Sequence, residues 1–315
     1  MVQNLDTNRS MASPDCPYCS LARTQGQTFC SRHSTDMRSL SSGVFYIHEK
    51  EFEECDWHVT RLSINFNFDD SQTYVAGNRE FKVSPHRYLL LNEGQSFKTE
   101  AANHTHARMV TIAFKVGLAD EMYRTITTPE EKLLDGVSIS GSTGFFEKTY
   151  DIDEFLNKSV LNLLDNHGSH SEEVLNDKLE SILEHLLRVR SNAYREVLSI
   201  RKVKPSTRFE IYKRLHWAID YIHSHYCQTI TVDQLAMQAC LSPFHFKRLF
   251  REFFHEAPYQ YIRRLRIQHA SELLLTGSPV HEVCKAVGWG DTSSFIRLFK
   301  QVYHTTPNQF RRRKE

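Results

Sequence analysis

The chain reads as an α+β protein of two unlike halves, a β-rich N-terminal half that ends in helices and an all-α C-terminal half built from one two-helix unit used twice. Three observations predict this. Short β-branched and aromatic runs broken by Asp, Asn, Gly and Pro crowd residues 44–117. Charge divides along the chain: from Arg208 onward 16 Lys+Arg stand against 9 Asp+Glu, a surplus of +7, while the remaining 23 and 29 leave −6. The basic half also superimposes on itself at a shift of 48 to 49 residues. The expected organisation is a segment 1–43, a domain 44–195, a linker 196–207 and a second domain 208–315.

Bulk properties agree with two ordinary domains. The 315 residues are 40% hydrophobic, 11% aromatic and 24% charged, enough apolar matter for real cores and too much for disorder. No run approaches the roughly 20 apolar residues of a membrane span, and the polar start lacks the apolar centre of a secretory signal. A cytoplasmic protein with no membrane partner is therefore expected. Seven cysteines, odd in number and unevenly placed, argue for reduced thiols rather than a disulfide framework.

From the N-terminus, Cys16-Pro17-Tyr18-Cys19 and, ten residues on, Cys30-Ser31-Arg32-His33 form two ligand pairs. That spacing suits one tetrahedral zinc held by Cys16, Cys19, Cys30 and His33, structural or sensory because no coordination position stays open. The same Cys16 and Cys19 also fit a redox pair. Beyond them, residues 59–66, 81–83, 88–91 and 109–114 read as strands of a small antiparallel barrel or sandwich. Two helices follow over 153–166 and 171–191, the second with Leu175, Leu179, Ile182, Leu183 and Leu186 on one stripe. Cys55, Cys227, Cys240 and Cys284 read as small buried apolar residues.

In the basic half, Val232 and Leu235 match Val280 and Val283 at a shift of 48. After one extra residue the shift becomes 49, and Phe246, Arg248, Leu249, Phe250, His255, Pro258 and Tyr261 match Phe295, Arg297, Leu298, Phe299, His304, Pro307 and Phe310. Each copy reads as two short helices and a tight turn. Thr231 with Gln234 makes a capping box, Ser242 caps a second start at Pro243, and Gly288-Trp289-Gly290-Asp291 forms the corresponding turn of the later copy. These are helix-turn-helix motifs, whose second helix fits the major groove of double-stranded DNA. The outward positions are Phe244, His245, Lys247, Arg248 and Arg251 on the first such helix and Thr292, Ser293, Ser294, Ile296, Arg297 and Lys300 on the second. Cations there can donate to guanine, and apolar groups can press on a thymine methyl.

Between the copies, Tyr261, Leu265, Ala270, Leu273 and Leu274 suit one helix ended by Gly277. About 17 residues give roughly 25 Å, a rigid spacer for two reading helices entering successive major grooves about 34 Å apart. Arg263, Arg264, Arg266 and the Arg311-Arg312-Arg313-Lys314 run are expected to meet phosphates.

Residues from about 209 to 312 resemble the DNA-binding domain of the AraC/XylS family. The resemblance rests on Leu241-Ser242-Pro243-Phe244-His245-Phe246-Lys247-Arg248-Leu249-Phe250, Arg264-Leu265-Arg266 before Ala270, Val287-Gly288-Trp289, Phe295, Phe299-Lys300 and Thr306-Pro307. It implies a domain of seven helices and a regulator, commonly an activator, that meets RNA polymerase and a second copy of itself. The glycine usual before each closing turn is replaced by His255-Glu256 and His304-Thr305, so less well-formed turns are expected. For the N-terminal half the resemblance is loose, carried by Arg87-Tyr88-Leu89-Leu90-Leu91-Asn92-Glu93-Gly94. There it implies a cupin-like effector domain with paired dimerisation helices. A cupin metalloenzyme with a DNA-binding tail is the rival reading, suggested by His104-Thr105-His106. The glycine such a site wants six residues earlier is Lys98, and Met109-Val110-Thr111 stand where its glutamate belongs. The expectation is therefore a protein that is not an enzyme.

Overall fold

The computed structural model describes residues 36–48, 55–69, 71–100, 108–127, 144–166, 168–199 and 204–312. The chain divides into two compact units between Ser199 and Ile200. Cys16, Cys19, Cys30 and His33 lie outside the described residues, as do His104, Thr105 and His106.

The N-terminal unit holds two antiparallel sheets. One has six strands in the order β1 (Asp36–Ser39), β2 (Gly43–His48), β9 (Met109–Phe114), β4 (Ser63–Asn67), β7 (Arg87–Leu91) and β10 (Thr149–Asp151). The other has four, β3 (Cys55–Val59), β8 (Ser96–Glu100), β5 (Gln72–Ala76) and β6 (Arg79–Val83). The central strands β4 and β7 are buried along their whole length because both faces are covered. Ile64, Phe66, Tyr88 and Leu90 face one core, which they share with α2 (Glu154–Asn166) and α3 (Glu172–Ser199). Leu89, Leu91 and Met109 face a second core with Tyr74, Phe81 and Val83 of the four-stranded sheet. α1 (Leu118–Thr127) packs by Leu118, Ala119, Met122 and Tyr123 on the first core. The Arg87 string is structural: Arg87 donates to the Thr149 hydroxyl at 2.8 Å and the Thr149 carbonyl at 2.7 Å, which pins edge strand β10.

Several expectations change here. The run 59–66 is not one strand: β3 ends at Val59, and the chain passes to the other sheet before β4 begins at Ser63. The stripe Leu175, Leu179, Ile182, Leu183 and Leu186 is wholly taken up by the unit's own core and is no docking surface. α3 runs on to Ser199, and α4 (Pro205–His225) starts three residues before the expected domain border at 208, so both ends of the linker 196–207 are helical. Val197, fully buried, shows why: the inward stripe of α3 continues past residue 191.

The C-terminal unit consists of α4, α5 (Val232–Gln238), α6 (Pro243–Phe254), α7 (Pro258–Leu275), α8 (Val280–Ala286), α9 (Thr292–Tyr303) and α10 (Pro307–Arg312), seven helices among the described residues. Two small cores organise it. Ile211, Leu215, Ile219 and Ile222 of α4 pack with Leu235, Phe246, Phe250 and the first half of α7. Ile267, Ala270 and Leu274 of α7 pack with Val283, Val287, Phe295 and Phe299. Of the cysteines expected to be buried, only Cys284 is so among those with a described environment; Cys227 and Cys240 are exposed because both sit in turns.

Candidate nucleic-acid interface

Each reading helix is started by a side chain. The Ser242 hydroxyl accepts from the His245 N–H at 3.4 Å, and Asp291 accepts from the Ser293 and Ser294 N–H groups at 3.2 and 2.8 Å. The Ser294 N–H, aided by the Ser294 hydroxyl and the Ser293 N–H, holds the Asp291 carboxyl below the usual carboxylate range. The preceding helices end alike. Cys240 and Gly288 take positive φ of 50° and 70°, and the next N–H reaches back five residues, Leu241 to Ala236 and Trp289 to Cys284, both at 2.9 Å. This is the Schellman closure of a helix.

The reading helices also end in a left-handed residue. His255 and His304, expected to weaken their turns, both adopt the left-handed conformation, with φ of 58° and 56°. Histidine does here what glycine would do at lower conformational cost, and the turns form with matching geometry. The repeat therefore extends from side chains to backbone.

On α6, Phe244, Lys247, Arg248 and Arg251 fall on one face at i, i+3, i+4 and i+7, all exposed, with Phe244 79% so. The matching positions on α9 are Ser293, Ile296, Arg297 and Lys300, of which Ile296 is half-buried against its own core. His245 is half-buried and Thr292 exposed. Ser294 is diverted: its hydroxyl donates to the Asp291 carbonyl at 3.0 Å and accepts from the Trp289 indole at 2.9 Å, which locks the turn. A concavity of about 660 Å³ opens between the α6 face and the first turn of α7, with Phe244, Lys247, Arg248 and Arg251 on one side and Pro258 and Tyr259 on the other. Tyr259, 64% exposed, is not marked by the sequence because it lies outside the reading helix and comes to line the same concavity only in the folded unit.

The spacer cations each have partners within the unit. Arg264 pairs with Glu256 at 2.7 Å and lies over the Tyr261 ring. Arg263 lies 5.6 Å from the ring centroids of both Tyr259 and Trp289. Arg266 donates to three main-chain carbonyls of its own unit. In α10, Arg311 is half-buried and Arg312 exposed, whereas Arg313 and Lys314 lie outside the described residues.

Two capped reading helices on one shared helix define the class, a double helix-turn-helix unit. Residues 235–313 match the family model described as a helix-turn-helix domain. The chain is similar to the regulatory protein SoxS of Salmonella typhimurium, 29% identical over 96 residues, which are 30% of this chain and 90% of SoxS. It is also similar to the HTH-type transcriptional regulator AlkR of Acinetobacter baylyi, 30% identical over 95 residues, 30% of this chain and about a third (31%) of AlkR. Among solved structures, the C-terminal domain of AraT, a response regulator from Geobacillus stearothermophilus, is 29% identical with a TM-score of 0.30, over 31% of this chain and 84% of that one. The C-terminal unit thus carries a helix-turn-helix domain over residues 235–313.

Proposed function

We propose that this chain is a transcription regulator, an activator acting with RNA polymerase, that reads promoter DNA through α6 and α9. The observation that carries it is the correspondence of two outward faces, Phe244, Lys247, Arg248 and Arg251 against Ser293, Ile296, Arg297 and Lys300, on helices that each start at a side-chain cap and end in a left-handed histidine. The exposed cations Lys247, Arg248 and Arg251 stand on the helix face opposite buried Phe246 and Phe250, and a helix that presents them fits the major groove. The test is selection by the full-length protein from a pool of random duplexes, at several salt concentrations, beside Arg248→Ala plus Arg297→Ala. One sequence family with two half-sites about a helical turn apart, lost in the double variant, is expected. Weak binding without sequence preference overturns the reading.

The N-terminal unit, in this reading, is the sensor of a small molecule. In support, Ser63, Asn65 and Asn67 alternate along β4 with the core residues Ile64 and Phe66 and are buried, and the Asn67 amide and the buried Thr99 hydroxyl have no hydrogen-bond partner. A buried orphan polar group costs about 1–3 kcal/mol unless something bonds it. Asn67→Leu is expected to hold or raise the melting temperature of the free protein and to abolish any melting shift given by an effector; a shift that survives removes Asn67 from the site. A homodimer would use the outer faces of α2 and α3, where Phe155 and Val174 are exposed. The Cys16, Cys19, Cys30 and His33 group is carried forward as a zinc site, with one zinc per chain expected by metal analysis and lost in Cys16→Ser plus Cys30→Ser. A metal-free protein whose thiols pair under mild oxidant favours the redox alternative.

A further inference from the structure

We propose that Arg266 is a positioning residue that welds the second helix-turn-helix unit to the first and so fixes the spacing of the two half-sites that the protein accepts; this rests on the DNA reading above. The two small cores share α7 and little else. Ile262 and Leu265 belong to the first, and Ile267, Ala270 and Leu274 belong to the second. With one shared helix, bending of one core against the other is resisted by that helix alone, so any second attachment sets the angle between α6 and α9.

Arg266 supplies that attachment. Its Nε donates to the Tyr226 carbonyl and its Nη2 to the Gln228 carbonyl, both at 2.6 Å, in the segment that follows α4. Its Nη1 donates to the Gly288 carbonyl at 2.7 Å, in the turn before α9. A planar guanidinium presents its donors in a rigid fork, so three carbonyls from two units are held in one arrangement. Gly288 is the other half of the device: a Cβ there would stand 1.9 Å from the Cys227 carbonyl oxygen. Only glycine lets the second turn seat against the first unit. The same cation was expected to meet phosphate, and its direction into the unit assigns it elsewhere.

A rigid pair of reading helices accepts one groove separation. Each base pair inserted between half-sites moves them about 3.4 Å apart and turns one against the other by about 35°. The test uses the full chain, its selected duplex, and duplexes with one or two base pairs added or removed. Wild type is expected to lose about tenfold or more in affinity at a two-pair shift, whereas Arg266→Gln and Gly288→Ala reduce that discrimination to about threefold or less. Arg266→Lys should behave like Arg266→Gln, because one ammonium cannot span three carbonyls, and it serves if Gly288→Ala fails to fold. The salt dependence of binding should stay unchanged. A salt slope smaller by about one in Arg266→Gln, restored in Arg266→Lys, with spacing preference intact, makes Arg266 a phosphate contact and overturns the proposal. Amide exchange read without DNA gives a second arm: residues 226–230 and 286–290 should exchange faster in Arg266→Gln, and unchanged exchange there also overturns it. Wild-type protein that selects no two-site sequence overturns the DNA reading and the spacing role with it, while the exchange arm still decides the weld.

Discussion

The two helix-turn-helix units share a backbone and differ in what they present. Positive φ at Cys240 and Gly288, a side-chain cap at Ser242 and Asp291, and left-handed closure at His255 and His304 recur in register. The reading faces do not recur: Phe244 stands against Ser293 and Lys247 against Ile296, with only Arg248 and Arg297 identical. Turn and cap positions are constrained by backbone hydrogen bonding, whereas the face positions, Ile296 apart, enter no core and are free to vary. In the proposed function, fold and specificity are thus written on separate residues of the same helix, and two unlike faces would suit two unlike half-sites.

The largest expected effect tests whether the cores are equivalent. Phe250→Ala and Phe299→Ala, both fully buried, should each cost about 3–5 kcal/mol in unfolding experiments. A cost at one site under half that at the other would break the equivalence. Next comes the contrast in reading. Arg248→Ala and Arg297→Ala should each cost about 1–3 kcal/mol in binding and relax base preference at one half-site only. A uniform loss on every sequence would turn them into phosphate contacts.

The caps differ in pH behaviour. Ser242→Ala should cost about 1 kcal/mol of stability at any pH. Asp291 has its carboxyl pKa depressed by the N–H groups it caps, so its contribution is present above the ordinary aspartate value of about 3.9 and is lost as pH falls through the lower folded value. The stability gap between wild type and Asp291→Ala should therefore close in acid, and a gap of constant size would contradict the capping role. The smallest effect concerns the closures. His255→Gly and His304→Gly should stabilise by no more than about 1 kcal/mol, because relief of the left-handed strain is partly offset by glycine's larger unfolded-state entropy. Melting temperatures that fall would mean that the imidazoles themselves contribute.

Much of the C-terminal unit was legible because its signals are local. Caps such as Thr231 with Gln234, a proline at a first helical turn and an apolar period near 3.6 each act within a few residues, and the repeat doubled every one of them. The outward face of α6 followed from the inward one by elimination. Tyr259 and Arg266 were not legible, since one joins the reading face and the other leaves the phosphate set only through contacts across helices. In the N-terminal unit, β7 and β9 stood out as apolar runs. β5 and β8 did not, because a strand with one face toward solvent carries a weaker, alternating signal over only five residues.

By itself the sequence determined the α+β division, the doubled helix-turn-helix and the exposed cations Lys247, Arg248, Arg251, Arg297 and Lys300, because helical periodicity and capping are set by neighbours in the chain. Tertiary structure alone decided which apolar stripe becomes core rather than interface, where the linker shrinks, and that Arg266 holds carbonyls of its own fold. Those outcomes depend on residues distant in the chain arriving at one place, and neither periodicity nor capping encodes that meeting.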